Sequence, residues 1–250
     1  MPVRRARAAG PAADDTANLS GGAELRARIL HASVALIEEE GLAKLSMREV
    51  ARRAGVTHQA PYHHFADREA ILGEIAEEGF RMLADCLEQA DPKSGRTPEA
   101  MIERITAVGS AYVHFACRHP AHFRIMFRPE LVDLENCPGA KAEGENAFTI
   151  VQRLIHEAVE AGIPAAPSEG AFFALYWSIG HGLACLLLDG PLAAKMPDVA
   201  RDAQIAMVVD AMRAQLEASL RGAQAAADPR SSPPARARRR TPGRRRKSSA

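Results

Sequence analysis

The chain has 250 residues, 47% hydrophobic and 25% charged, a soluble globular composition that excludes wholesale disorder, a collagen-like repeat and a multi-span membrane protein. The net charge of +1 hides an asymmetry: residues 229–250 hold nine basic and no acidic residues, 73–228 hold 13 basic against 22 acidic, and 24–72 hold seven of each. The middle is therefore a poor polyanion binder while the ends could bind one. Cys86, Cys117, Cys137 and Cys185 form no CxxC pair, so no disulfide framework or zinc ribbon is expected and a cytoplasmic location fits.

Residues 1–22, rich in Ala, Arg, Gly and Pro, read as a disordered arm and lack the apolar run of a secretory signal. From Glu24 the pattern turns helical, with Leu25, Ile29, Ala32, Leu36 and Ile37 on one face and Gly41 as the stop. Ser46 and Glu49 form a capping box for a short second helix, which Ala54-Gly55-Val56 interrupts. Thr57 reads as the N-cap of a third short helix ending near Phe65, and Asp67 caps a longer fourth one to about Gln89. After a linker over 91–98, Thr97-Pro98 starts a helix that must end before His119-Pro120. A short segment at 121–127, a looser stretch around 129–144 and a helix over about 146–161 follow. Ser168 caps a helix whose residues 170–188 carry no charge, and a last helix over about 198–221 presents Ile205, Val209, Met212, Leu216 and Leu220 as one stripe. The uncharged helix approaches bilayer-spanning length. Its central Ser178, Gly180, His181 and Gly182 and its acidic flanks, Glu169 and Asp189, fit a buried core or subunit-interface helix instead. No segment alternates at period two for long enough to be a strand. The expected fold class is all-α, with about nine helices and a tail from 223 to 250 that cannot build a core.

Two short helices joined by a Gly-containing turn, behind a longer first helix, make a helix-turn-helix arrangement. Its physics suits DNA. A helix N-terminus at Thr57 favours phosphate, and His58, Gln59 and His63 lie on the outer side while Val50, Val56 and Phe65 can pack inward. Gln can bond adenine in the major groove, and Tyr or His can donate to phosphate. The residues from Gly41 through Ser46-Met-Arg-Glu-Val-Ala-Arg-Arg-Ala-Gly-Val-Thr57 to Tyr62-His-His-Phe65-Ala-Asp-Arg68-Glu-Ala-Ile-Leu72 resemble the tetracycline-repressor (TetR) family of bacterial transcriptional regulators.

That resemblance implies a DNA-binding domain over 23–83, with its motif at about 46–65. Ser46, Met47 and Arg48 would touch the phosphate backbone or a neighbouring base, and Thr57, Tyr62, His63 and Arg68 would hold phosphates. His58, Gln59 and Ala60 would face base edges, Ala60 meeting a thymine methyl. Pro61 departs from the family's usual Leu and removes an early helical bond, tightening or distorting the first turn.

Nine of the twelve aromatic residues fall between Tyr112 and Trp177. Between helices of a bundle such residues line small-molecule pockets, and at helical spacing they also make ordinary core. Tyr112, Phe115, Phe123, Phe127, Phe173, Trp177 and His181 are the candidate pocket residues. The stretch Trp177-Ser-Ile-Gly-His181-Gly182 resembles the motif of the WHG-type C-terminal domain of one TetR branch, and His119-Pro-Ala-His-Phe-Arg-Ile-Met-Phe127 resembles that branch's central segment. This second resemblance implies an effector-binding and dimerising domain over 92–222, with His181 in the core or the pocket wall. His119-x-x-His122 has too few convergent ligands beside it for a metal site, and no phosphate loop, nucleophile elbow or HExxH points to an enzyme.

The expectation is a homodimer, joined through about 169–189 and 198–221, that binds a pseudo-palindromic operator and releases it when a largely apolar small molecule enters each body. It needs no cofactor and no membrane, and it works in the cytoplasm at the nucleoid. Two other readings stand beside it: a helical interaction or membrane-associated protein with a non-functional head, and a metal-responsive sensor. The basic run Arg236–Lys247 either draws DNA phosphates nonspecifically or is a solvated tail.

Overall fold

The structure, a computed structural model, describes residues 13–164 and 168–227. These form nine α-helices and two 3-10 turns, with no strand among the described residues. The helices are α1 (Ala13–Glu40), α2 (Met47–Arg53), α3 (Arg68–Ala90), α4 (Pro98–Arg118), α5 (Pro120–Met126), α6 (Pro138–Glu160), α7 (Glu169–Leu188), α8 (Pro191–Lys195) and α9 (Arg201–Ala227). The 3-10 turns are Leu42–Lys44 and Ala60–His63.

Several expected caps are in place. Ser46, Asp67, Thr97 and Ser168 each accept a hydrogen bond from the amide three residues on, at 2.8–3.3 Å. The capping box at Ser46 is only half made, because the Glu49 carboxylate takes Arg52 as its partner at 3.0 Å rather than reaching back to the Ser46 amide. At the other end of α2, Gly55 adopts a left-handed φ of 68°, and the amides of Gly55 and Val56 return to the carbonyls of Arg52 and Ala51. This double closure turns the chain sharply out of α2.

The expected boundaries need four corrections. Helix α1 starts at Ala13, so part of the expected arm over 1–22 is helical. The expected third helix is only the Ala60–His63 turn. Helix α6 begins at Pro138 rather than about 146, with the proline at a helix start where its missing N–H costs nothing. Helix α9 runs on to Ala227, past the expected end of the body. The rest of the arm and tail, 1–12 and 228–250, lies outside the described residues.

Two cores form, and α3 contributes to both. Its first half places Ile71, Leu72 and Ile75 against Ile29 and Leu36 of α1, Val50 of α2 and Phe65. Its second half places Phe80, Leu83 and Leu87 in the body core with Met101, Phe115, Leu154 and Phe172. The short helix α5 lies across the junction. Ala121 and Ile125 face the head core, and Phe123 and Met126 face the body core.

Gly79 makes that crossing close. A Cβ there would lie 2.6 Å from Met126 Sδ and 3.1 Å from His122 Cβ. Both side chains are buried, so neither can swing into solvent. We expect Gly79→Ala to destabilise the fold by about 1–3 kcal/mol through overpacking, read as a lower urea midpoint at unchanged m-value. A neutral substitution would show that α5 is not seated tightly on α3.

Of the two expectations for helix α7, core helix or subunit-interface helix, partial exposure within one chain fits the second. Phe172, Gly180, Leu183, Ala184 and Leu187 are its buried residues, whereas Leu175 and Leu186 are 49% and 46% exposed. It is long and apolar enough to cross a membrane, and equally an apolar face that a second protein surface can cover.

Candidate nucleic-acid interface and ligand cavity

The head's surface is shaped by one missing donor. A helix beginning at Thr57 would make its first α-type bond from the residue-61 amide to the Thr57 carbonyl, and Pro61 has no N–H. The segment instead bonds three residues apart: Ala60 to Thr57 at 3.0 Å, Tyr62 to Gln59 at 3.1 Å and His64 to Pro61 at 3.0 Å. Pro61 and Phe65 are buried and anchor the turn to the head. The Thr57 hydroxyl therefore caps no helix.

Thr57, His58, Gln59, Tyr62 and His63 are exposed, with Tyr62 at 52%, and Ala60 is half-buried. Gln59 Nε2 donates to His58 Nε2 at 3.1 Å, an arrangement that requires the imidazole nitrogen to be unprotonated. Ser46 and Arg48 are exposed on the first turn of α2. Two expected phosphate ligands are placed otherwise. Met47 is buried and packs in the head core. Arg68 is half-buried, with Nε and Nη2 donating to the carbonyls of Leu45 and Leu42 at 3.1 and 3.3 Å, so it braces the α1–α2 connection. Met47 faces inward as part of the apolar core, and Arg68 turns to carbonyls of the α1–α2 connection.

The other head arginines are likewise engaged. Arg26 forms a bidentate pair with Glu74, Arg28 donates to Ala54 O at 2.7 Å, and Arg53 spans Glu39 and Glu40 at 2.7 and 2.9 Å. Of the seven cations in 24–72, only Arg48 and Lys44 have neither hydrogen bond nor ion pair among the described residues, and both are exposed. Lys44 escaped the sequence reading because it precedes the motif; its position one residue ahead of Leu45-Ser46 was the available signal.

In the body, a cavity of about 70 Å³ runs between α3, α4, α6 and α7 and reaches α9. Of the candidate pocket residues, Tyr112, Phe127, Phe173 and Trp177 line it. Phe115 does not; it is 1% exposed in the core. Phe123 and His181 stand behind the wall, lining a separate surface hollow with Arg124, Arg128 and Asp189. The reading from sequence missed Phe80 and Phe148. Phe148 makes an edge contact with Trp177 at 5.1 Å, and the signal for it was the helical spacing of Phe148, Val151 and Ile155 on α6.

A polar chain joins the cavity to its wall. Trp177 Nε1 donates to Tyr112 Oη at 3.3 Å, and Tyr112 Oη lies 2.8 Å from His181 Nδ1. Indole is a donor only, so the tyrosine accepts from tryptophan, and the direction of its bond to His181 follows the imidazole tautomer. Burial pushes the His181 imidazole below its ordinary pKa, which favours its neutral form.

At the head–body junction, His122 Nε2 meets Glu78 Oε2 at 3.3 Å, and the His122 bond holds that carboxyl below the usual range. His119 packs beside it, with ring centres 6.0 Å apart. Among the described residues no three His, Cys, Asp or Glu side chains gather as a metal set.

Acidification should loosen the body. Because His181 and His119 are both depressed in the fold by burial, their stabilising contribution is present above the unfolded histidine pKa, about 6.5, and lost as pH falls through the folded values. We expect the unfolding midpoint to drop between pH 7 and 5, and the His181 ring to titrate below 6.5 by NMR. A His181 pKa at or above that value would contradict burial as the control on this ring.

Comparison with known proteins bears on both regions. Residues 29–75 match the family model described as "Bacterial regulatory proteins, tetR family", and residues 105–212 match "Tetracyclin repressor-like, C-terminal domain". Over 143 residues the chain is 22% identical to the HTH-type transcriptional regulator Rv1816 of Mycobacterium tuberculosis, covering 56% of this chain and 58% of that protein. Over 65 residues it is 37% identical to the HTH-type transcriptional repressor KstR2 of Rhodococcus jostii, covering 26% of this chain and 30% of that one. The chain thus spans little more than half the length of the first relative and under a third of the second. A crystal structure of a bacterial regulatory protein in the tetR family from Rhodococcus RHA1 shares the fold, with a TM-score of 0.62 at 18% identity over 77% of this chain and 96% of that one.

Proposed function

The chain belongs to the TetR family of bacterial regulatory proteins, and from that premise we propose that it is a DNA-binding transcriptional regulator, a repressor released by a small molecule. The observation that carries the DNA reading is the contrast among the head's cations. Five are tied to carboxylates or carbonyls, while Arg48 and Lys44 stand free beside the exposed His58, Gln59, Tyr62 and His63. Phosphate contact falls to Arg48, Lys44, Ser46, Thr57, Tyr62 and His63, and base reading to His58, Gln59 and Ala60. Met47 and Arg68 act by holding the head's shape.

The dimer reading is supported by the exposed apolar faces of α7 and α9, where Leu175, Leu186 and Met207 stand 46–53% exposed. A two-fold pairing through these helices would cover them and set two heads about one DNA turn apart on a pseudo-palindrome. The cavity is the effector site in this reading. An occupant that pushes α7 or α5 changes the spacing of the heads, which needs only different affinity for the two shapes. The protein then acts in the cytoplasm, on the chromosome.

Selection of the full chain on random duplexes at high salt, where attraction by the basic tail is weakened, should enrich a pseudo-palindrome. On that site Arg48→Ala should reduce affinity and lower the salt slope by about 1. Gln59→Ala should relax base preference, whereas Arg68→Ala should lower stability without changing the slope. Equal, weak binding to every duplex would sink the assignment and turn attention to α7 as a membrane or protein-binding helix.

A further inference from the structure

The turn from Thr57 to His64 lacks one backbone donor, and the geometry it takes instead decides which exposed side chains stand in a row. An α-helix capped at Thr57 needs the residue-61 amide for its first bond, and Pro61 has no N–H. In that helix the proline ring would also press on the Thr57 carbonyl, four residues back. The carbonyl instead takes the Ala60 amide at 3.0 Å, and the Tyr62 amide turns to the Gln59 carbonyl at 3.1 Å. The Pro61 carbonyl closes the turn by accepting from both His64 and Phe65, at 3.0 and 2.9 Å. Phe65 is 4% exposed, and the Arg26 guanidinium lies 5.2 Å from its ring centre, so the turn is pinned at that end.

The two helix types line up different neighbours. In a 3-10 turn residues three apart eclipse, whereas in an α-helix those four apart come nearer to alignment. The 3-10 turn Ala60–His63 therefore sets Gln59 in line with Tyr62, and Ala60 in line with His63, while Pro61 is buried on the remaining side. An α-helical segment would set Gln59 in line with His63 and His58 in line with Tyr62. Gln can hold one adenine by two bonds, so the residue in its row decides which group stands beside that base.

We infer that Pro61 is a positioning residue for base recognition: turned away from the DNA face, it keeps the turn in 3-10 form and so pairs Gln59 with Tyr62 rather than with His63. This inference rests on the DNA-binding reading of the head and adds the residue that sets its reading geometry.

Selection on random duplexes would be run with the full chain, Pro61→Leu and Pro61→Ala at one salt concentration. Both substitutions return the missing N–H, and Pro61→Leu also keeps an apolar side chain in the buried site. Each variant should enrich a duplex that differs from the parent's at the base pairs whose preference Gln59→Ala relaxes. Each should bind its own duplex about tenfold more tightly than the parent's, the scale of one bidentate base contact. A loss of stability alone would leave base preference unchanged. Hydrogen exchange at the new residue-61 amide should be slow, reporting its bond to the Thr57 carbonyl.

A double-mutant cycle to alanine in the unaltered background needs no substitution at 61, and so decides the matter even where neither variant folds. On the parent's duplex Gln59 and Tyr62 should be non-additive, and Gln59 and His63 additive. The same duplex enriched by all three chains, or additive effects at Gln59 and Tyr62, would overturn the inference and leave the DNA-binding reading standing. No enrichment by the unaltered chain would overturn that reading itself.

Discussion

Helix α3 belongs to two hydrophobic cores at once, and the rest of the molecule is arranged around that sharing. Ile71, Leu72 and Ile75 are committed to the head, Phe80, Leu83 and Leu87 to the body, and no break in the helix separates them. A rigid rod buried at both ends cannot turn in one core without disturbing the other. Helix α5 adds a second tie across the same junction, set close by Gly79 and held by the His122–Glu78 contact. An event in the cavity therefore has a short route to the head: Phe127, just past the end of α5, lines the cavity, while Ala121 and Ile125 on the same helix touch the head core.

The head shows how much of a surface is decided by which groups are already occupied. Its cations are numerous enough for a basic patch, yet most are spent within the domain: Arg26 on Glu74, Arg53 on Glu39 and Glu40, Arg68 on two carbonyls. Balanced charge over 24–72 is the sequence-level sign of that internal pairing. What is left for a polyanion is a small set of uncommitted groups around a turn that Pro61 keeps tight.

The sequence made the helical architecture legible where a cap or a proline marks it. Thr97-Pro98, His119-Pro120 and Ser168 stand at helix starts or stops, because a side-chain acceptor or a missing donor acts locally. It was less legible where packing overrode local signals. Residues 138–145 looked loose for their glycines, yet Gly139 and Gly144 are the positions at which α6 closes on Glu77 and Phe80 of α3. Met47 and Arg68 turn toward the head's interior for a related reason: a motif gives position along the chain, and the direction of a side chain depends on neighbours far away in sequence. The aromatic clusters did locate the cavity, while the separation of Phe115, Phe123 and His181 from it required the packing of α4, α5 and α7.

The central claim, that head and body form one cooperative unit through α3 and α5, can be tested by unfolding the chain in urea under two local probes. One is Trp177 emission in the body; the other is a fluorophore attached at His63→Cys in the head, on a background with the four native cysteines replaced by serine or alanine. The account predicts coincident transitions, with one midpoint and one m-value within error. A head transition well separated from that of the body would show two independently stable units, and would contradict the coupling on which the proposed release from DNA rests.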